Sequence, residues 1–260
     1  MIKKVFSNIY IFLIFLLLYA PIAVLIILSF NNSKSRSKWN GFTFNWYTRL
    51  LNNESIMEAL KNTLVIAFLS ALIATILGVC ACIVLNQTSK TFKAFFVSMT
   101  NIPLLNSDIV LGISFMLLFV ALKPIGFKFG FISILLAHIT FNLPYVYLTV
   151  MPRINTLNKQ AYEAALDLGS TPFQAFMKIT LPDLFPSILS GFLLSFTMSL
   201  DDFIITHFTA GAGVHTLSTK IYAEARKGIK PEMYALSTLM FLTVLILLVL
   251  SNKKIKIEEL

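Results

Sequence analysis

The chain has 260 residues, of which 57% are hydrophobic and 13% charged, and its mean hydropathy is +0.81. This is more apolar surface than one water-soluble core can bury, so an ordinary soluble domain is excluded. The formal net charge is +9, but Lys and Arg are scattered through short connecting segments and form no stripe, so nucleic-acid binding is not expected. Cys80 and Cys82 lie two apart in an apolar run and the three histidines are widely separated. We therefore expect no disulfide, no metal site and no cofactor.

Six segments are long and apolar enough to cross a lipid bilayer. A helix rises about 1.5 Å per residue, so about 20 apolar residues span about 30 Å of hydrocarbon. Each segment should be helical, because lipid offers no hydrogen-bond partner to the backbone. The first follows Lys3 and Lys4 like a signal peptide, but its apolar run is too long and no cleavage site follows it, so we expect it to be retained. The sequence predicts an all-α integral membrane protein, one domain over 1–260, with spans at 9–30, 62–85, 94–122, 129–150, 184–208 and 235–251.

Loop charges leave the orientation of these spans open. Six spans place both termini on one side of the membrane, and ten of the 21 Lys and Arg residues then fall on that side against eleven on the other. The excess of basic residues that marks a cytoplasmic side is therefore missing. Orientation must come from a motif.

The polar segment 151–183, between the fourth and fifth spans, carries signals for two short helices. Residues 162–168 are good helix formers, and Gly169 follows them as the residue best able to end a helix in the left-handed conformation. Thr171 and Gln174 are spaced as a capping box for a second helix. Leu181-Pro182 is expected to end that helix before the fifth span begins.

These short helices suit docking into a groove of a partner protein, because small side chains beside an acid allow close backbone approach. A linker helix at the membrane interface is the alternative.

Seven positions of this segment resemble the EAA signature of the inner-membrane permease subunits of binding-protein-dependent ABC importers. The resemblance implies the six-helix fold of those permeases, with the segment and both termini in the cytoplasm and the short helix in a cleft of a separate ATP-hydrolysing subunit. The chain has no G-x-x-x-x-G-K-[ST] phosphate loop, so we do not expect it to bind ATP or to be an enzyme. The positions assigned to coupling by this resemblance are Glu163, Ala164, Ala165, Gly169, Ile179, Leu181 and Pro182.

Three carboxylates fall inside predicted spans: Asp108 in the third, and Asp201 and Asp202 in the fifth. An Asp at the centre of a membrane helix costs about 2.5 to 3.5 kcal/mol, so these acids should face a bundle interior rather than lipid. A solute pathway lined by carboxylates attracts cations and repels anions. The alternative is that they pair with a second subunit or are hydrated near the outer interface. Neighbouring side chains on a helix point about 100° apart, so Asp201 and Asp202 cannot both face one channel squarely.

Two aromatic side chains are further candidates for the pathway. Trp46 follows the first span, where its indole could stack on an ammonium group, although a role in the aromatic belt at the membrane surface is the alternative. Tyr19 precedes Pro21 in the first span and is either a packing residue beside a kink or a pathway residue. The helix-like stretch 217–227 could contact a binding protein or pack over the bundle mouth.

The stretches 42–47, 107–110, 194–202 and 220–222 resemble the second permease subunit of the spermidine/putrescine branch of the same family. This resemblance implies contact between polyamine nitrogens and Asp108, Asp201 and Asp202, with Tyr19 and Trp46 as further candidates. The implied partners are ATPase subunits, a second homologous permease and an extracytoplasmic polyamine-binding protein, in a bacterial inner membrane. The alternatives are a permease for another small cationic or neutral solute, an intramembrane aspartyl enzyme and a passive cation channel.

Overall fold

The protein is helical throughout the part that the computed structural model describes, which is residues 2–33, 38–228 and 230–257, with side chains for 7–33, 38–228 and 230–246. Those ranges contain one isolated bridge, between Asn31 and Phe42, and no β-strand. The predicted all-α class is confirmed. A 3₁₀ turn lies at Lys123–Ile125 and a π-helical turn at Phe176–Thr180. The helices are α1 (Ile2–Ser29), α2 (Asn45–Leu51), α3 (Glu54–Gln87), α4 (Lys90–Leu105), α5 (Asp108–Ala121), α6 (Phe131–Asn155), α7 (Lys159–Asp167), α8 (Pro172–Ala175), α9 (Leu181–Asp201), α10 (Ile204–Thr209), α11 (Leu217–Lys227) and α12 (Pro231–Ile257).

Several of these helices can cross a membrane. Among the described residues, four stretches are long and apolar enough to do so. The pair α4 and α5 makes a fifth if it is one bent span, and α12 is apolar over Pro231–Ile246. All six predicted spans therefore fall on helices, but the count of six crossings is not confirmed. The four stretches are Ser7–Ser29, Glu54–Gln87, Phe131–Asn155 and Pro172–Asp201.

The prediction of one continuous helix over 94–122 is wrong. Helix α4 ends at Leu105 and α5 begins at Asp108, and the two helices are bent by 107°. Asn106 and Ser107 between them are extended, with ψ angles of 151° and 147°, which a helix cannot contain. Asp108 therefore lies in the first turn of a helix, where the partial positive charge of the N-terminus stabilises a carboxylate.

The predicted span 184–208 is also interrupted, near its C-terminal end. Helix α9 ends at Asp201, Asp202 is extended with ψ 124°, and α10 begins at Ile204. The Asp202 carboxylate accepts hydrogen bonds from the N–H groups of Ile205 (3.2 Å) and Thr206 (2.8 Å). This local side-chain bonding competes with continuation of the helix and explains the break.

At its N-terminal end this span is longer than expected. Leu181-Pro182 does not end the second helix of the polar segment, because the chain is helical from Pro172 to Asp201. The Leu181 N–H donates to the carbonyl of Phe176, five residues back, which forms the π-helical turn. Pro182 has no N–H to donate, and the wider turn accommodates that missing bond. Since α6 also continues to Asn155, the non-helical part of 151–183 is shorter than predicted.

Contacts along the chain define two compact units, 1–58 with 220–245 and 59–219 with 246–260. The core of the second unit is built on α6, whose Val146 and Val150 are fully buried against side chains of α3 and α9. Gly78 of α3 permits this packing, because a Cβ there would lie 2.6 Å from Val146 Cγ1. The single domain over 1–260 stays a prediction.

Candidate functional site

The coupling segment, residues 159–182, has the two helix boundaries that the sequence predicts. Helix α7 begins after Asn158, whose side chain accepts hydrogen bonds from two N–H groups of its first turn. It ends before Gly169, which has φ +85°, a conformation that favours glycine. Thr171 Oγ1 accepts from the Gln174 N–H at 3.3 Å, and Gln174 Oε1 accepts from the Thr171 N–H at 3.1 Å. The predicted capping box is confirmed.

The seven signature residues of this segment divide between surface and interior. Glu163, Ala164, Gly169 and Pro182 are exposed, whereas Ala165 is buried. Ile179 and Leu181 are half-buried where the π-helical turn meets α9. The spacing of the motif thus places one small residue against the protein and leaves the acid accessible.

Glu163 also lines a cleft of about 530 Å³. The cleft is formed by the ends of α3 and α6, by α7 and by the π-helical turn with the start of α9, and it has a mixed polar and apolar wall. The other residues that contribute polar groups to it include Asn86, Gln87, Asn158, Lys159, Tyr162, Thr180 and Asp183.

Three large apolar side chains of the coupling segment face outward. Leu168 is 88% exposed, and Phe173 and Met177 are exposed as well. Helical spacing places Phe173 and Met177 on one helix face. Leu168 was not predicted from the sequence to be a contact residue. Its position, a large apolar residue at the end of a polar helix, is the signal that could have identified it. A monomer gains nothing from such exposure, so this patch is a candidate contact surface for a partner.

An ion pair between Arg153 and Asp183 links α6 to α9, on either side of the coupling segment. Arg153 is in the last turn of α6 and Asp183 in the first turn of α9, and the Arg153 Nε also donates to the Asp183 carbonyl at 3.3 Å. Both side chains are partly exposed, so the pair contributes less than about 1 kcal/mol to stability. It fixes the spacing between the two helices that flank the segment.

The candidate pathway acids Asp108 and Asp201 lie at the two helix breaks. Asp108 is exposed at the start of α5, and Asp201 is exposed as the last residue of α9. Helices α5 and α10 pack closely, because a Cβ on Gly112 would lie only 3.3 Å from the Ile204 carbonyl oxygen. Asp108 precedes Gly112 by one turn, about 6 Å, and Asp202 precedes Ile204 by two residues. Both breaks therefore lie close along the chain to the contact between α5 and α10.

Asp202 has a different environment from its neighbour. Its carboxylate is enclosed, with 6% of the side chain exposed, and faces His138 Nε2 at 3.3 Å. Thr206 Oγ1 also donates to its Oδ2 at 2.9 Å. Sequence reasoning assigned His138 no function, because a lone histidine in an apolar helix carries no motif. Among the described residues, no group of three or more His, Cys, Asp or Glu could hold a metal ion.

Tyr19 lies on an apolar helix that is open to its surroundings. Its ring is stacked on Phe15 with centroids 5.9 Å apart, and both side chains are exposed. The geometry fits a packing residue on the surface of α1. A pathway role for Tyr19 stays a prediction.

Trp46 is buried and not exposed on the surface. Only 5% of it is exposed, and its Nε1 donates to the Asn31 carbonyl at 2.8 Å. The Arg49 guanidinium lies 5.2 Å from the ring centroid, so a cation already occupies one face. These contacts join α2 to the residues that follow α1, which gives Trp46 a structural function; contact with the solute stays a prediction.

Replacing Trp46 with Ala should therefore destabilise this part of the chain by about 3 to 5 kcal/mol, since the change removes a large buried ring and a hydrogen bond. Trp39 is 54% exposed and provides the matched control. Faster proteolysis of the 31–51 region in the Trp46 variant, but not in Trp39→Ala, is the expected result. Equal resistance of both variants would contradict the structural function.

Helix α11 occupies the stretch 217–227 that the sequence identified as helical. Its Glu224 Oε2 lies 3.1 Å from Lys230 Nζ, just before α12. Hydrogen bonding to Lys230 holds the pKa of Glu224 below its usual range, and the charges of Lys230, Lys227 and Lys220 lower the pKa further. The carboxylate therefore stabilises this connection above its usual pKa, about 4.3, and the contribution is lost as pH falls through the lower folded value.

Acidification should consequently loosen the α11–α12 connection. Hydrogen exchange in residues 224–233, compared with Glu224→Gln at each pH, should be slower in the unchanged protein at pH 7. The difference should shrink as the pH falls below about 4.3 and disappear once the pH is below the lower pKa of the folded protein. A difference that persists in acid would show that the ion pair does not hold this connection.

Comparison with known proteins identifies the family of this chain. Residues 74–253 match the family described as "Binding-protein-dependent transport system inner membrane component". The chain is 39% identical to the spermidine/putrescine transport system permease protein PotC of Haemophilus influenzae, over 94% of each chain. It is 42% identical to the putrescine transport system permease protein PotI of Escherichia coli, over 86% of this chain and 82% of that one.

Solved structures show the same fold at low sequence identity. A bacterial ABC transporter involved in the import of the acidic polysaccharide alginate aligns with a TM-score of 0.70 and 19% identity, covering 96% of this chain and 94% of that chain. The inward-facing MetNI methionine ABC transporter aligns with a TM-score of 0.62 and 16% identity, covering 78% and 98%. The chain is a multi-pass membrane protein that belongs to the family of binding-protein-dependent transport system inner membrane components.

Proposed function

We propose that this permease imports polyamines of the spermidine and putrescine type. The observation that carries the proposal is the pair of exposed carboxylates, Asp108 and Asp201, at two breaks in the spans that are followed by the packed helices α5 and α10. Broken helices are tolerated within a membrane where they line a cavity, and solute sites of other transporters are built at such breaks. The carboxylate of Asp201 adds to the partial negative charge at the C-terminal end of α9, so both favour a cation there.

The relatives support the same substrate class. The name of PotC contains spermidine and putrescine and that of PotI contains putrescine, and the two match this chain over most of its length at 39% and 42% identity. The two acids also disfavour an anionic cargo, because an isolated carboxylate repels it. The alginate importer therefore shares the fold of this chain and not, in this proposal, its substrate.

The coupling segment is proposed to receive the motion of separate ATPase subunits on the cytoplasmic side. Its accessible Glu163 and the exposed patch of Leu168, Phe173 and Met177 provide polar and apolar contacts for such a partner. This assignment places both chain termini in the cytoplasm. A second homologous permease would complete the pathway, and an extracytoplasmic polyamine-binding protein would deliver the solute; the chain itself has no ATPase site in this proposal.

Uptake of radiolabelled spermidine and putrescine tests the proposal, in vesicles that contain this chain, its second permease and ATPase subunits, and the binding protein. Uptake should require both ATP and the binding protein, and excess unlabelled polyamine should suppress it. Uptake without ATP would indicate a passive channel instead. Transport of only neutral solutes would reject the polyamine assignment.

A further inference from the structure

His138 is the buried centre of a polar cluster that joins both sides of the break in the fifth span. It lies on α6 and is 1% exposed. Its Nδ1 is 2.6 Å from Ser199 Oγ, in the last turn of α9, and its Nε2 is 2.9 Å from Thr206 Oγ1, in α10. One imidazole therefore contacts the helix that ends at the break and the helix that follows it.

The hydrogen-bond geometry determines whether His138 Nε2 donates or accepts a hydrogen bond. Thr206 Oγ1 gives its single hydrogen to Asp202 Oδ2 at 2.9 Å. Nε2, which faces this hydroxyl and the same carboxylate oxygen at 3.3 Å, can then only donate. Ser199 Oγ in turn lies 3.1 Å from Ser70 Oγ of α3, which accepts from Asn142 Nδ2 of α6 at 3.3 Å. The cluster is thus anchored to one further helix, α3, and to a second residue of α6.

Asp202 is fully engaged by these contacts. Its oxygens accept hydrogen bonds from two backbone N–H groups and from the Thr206 hydroxyl. His138 Nε2 lies 3.3 Å from its Oδ2. Binding a substrate ammonium would require breaking them in an enclosed place, which is costly. Asp201 points about 100° away around α9 and is exposed. The two adjacent acids are therefore not equivalent.

We propose that His138 is a positioning residue for cation transport: by holding Asp202 as an internal cap it fixes the end of α9, so that Asp201 alone of the two acids faces the solute. This inference rests on the proposed cationic substrate and adds a division of labour between the acids. It makes His138 and Asp202 structural partners in the site and Asp201 the contact residue.

A matched pair of His138 variants tests the role of Nε2 as a hydrogen-bond donor. Gln keeps an N–H at about the reach of Nε2, whereas Leu keeps side-chain volume and loses the donor. In the reconstituted complex, His138→Leu should raise the KM for polyamine uptake about tenfold, and His138→Gln should recover most of that loss. His215→Ala, an exposed histidine outside the cluster, is the control. Equal KM values for the Leu and Gln variants would overturn the donor role.

A double-mutant cycle separates positioning of Asp201 from a general structural role. If His138 acts through Asp201, adding His138→Leu to Asp201→Asn should raise KM no further, whereas adding it to Asp108→Asn should raise KM by its full factor. Additive effects in both backgrounds would overturn the inference.

Thiol labelling tests the exposure of Asp201 without a transport assay and with His138 intact. In the Cys80→Ala, Cys82→Ala background, Asp201→Cys should react several-fold faster with a cationic methanethiosulfonate than with an anionic one. Polyamine should slow the labelling if the proposed substrate is right. Absence of labelling would overturn the inference, whereas labelling without polyamine protection would count only against the proposed function.

Discussion

Replacing Glu163 with Lys should strongly reduce solute uptake while the complex continues to hydrolyse ATP. Glu163 is exposed on α7 and follows Lys159 by one turn, so the change both reverses the charge of the contact surface and creates a like-charge pair on the helix. We expect uptake to fall at least about tenfold, the equivalent of 1.4 kcal/mol of coupling energy. Uptake and phosphate release should be measured in the same vesicles.

The matched control for this variant is Gln160→Lys. Gln160 is exposed on the same short helix, but it does not line the cleft that Glu163 lines. It therefore introduces the same lysine side chain, with half of the charge change made by Glu163→Lys, without altering the signature. Parallel loss of uptake in both variants would show that positive charge alone is responsible, and unchanged uptake in Glu163→Lys would reject the coupling assignment.

Replacing Gly169 with Asp should perturb the same surface by changing the backbone conformation at the end of α7. No atom lies within 4 Å of the Cβ that would be added, so the substitution meets no steric obstacle. Its effect comes from the left-handed conformation at φ +85°, which costs an L-residue about 1 kcal/mol. The end of α7 should shift, and uptake should fall less than in Glu163→Lys.

Replacing Asp108 with Asn should reduce polyamine uptake more than it reduces assembly of the complex. The carboxylate is exposed at the first turn of α5, the helix that packs against α10. Asn preserves size and hydrogen bonding but removes the charge, so the lost interaction with an ammonium should raise KM about tenfold or more. Co-purification of the subunits, with uptake measured on the same preparation, separates the two effects.

Asp167→Asn is a suitable control for charge removal at a distance. Asp167 is an exposed carboxylate of the coupling segment, on a different part of the chain. It should leave the KM for polyamine unchanged. Equal losses of uptake and assembly in Asp108→Asn would instead assign Asp108 to contacts between subunits.

Features that depend on a few neighbouring residues could be predicted from the sequence. The Thr171 and Gln174 capping box and the end of α7 at Gly169 follow from local hydrogen bonding and backbone conformation, and both were predicted correctly. The apolar runs also predicted where helices occur. Such signals need no knowledge of what packs against them.

The breaks could not be predicted because they depend on only two or three residues within a long apolar run. A hydropathy window averages over Asn106 and Ser107, and the same is true at Asp202. His138 was missed for a different reason: its partners Ser199 and Thr206 lie 61 and 68 residues further along the chain. Only the packing of α6 against α9 and α10 reveals that this histidine has a specific task.

In the proposed mechanism, the continuous helix from Pro172 to Asp201 acts as a lever arm. Its 30 residues extend about 45 Å, with the proposed docking surface at one tip and the pathway acid at the other. A tilt of only about 5° would then displace the far tip by about 4 Å, comparable to the width of an aliphatic chain. A helix that ended at Pro182 would not transmit such a tilt to Asp201. The π-helical turn at Phe176–Thr180 keeps the helix continuous between the proposed docking surface and the proposed solute contact.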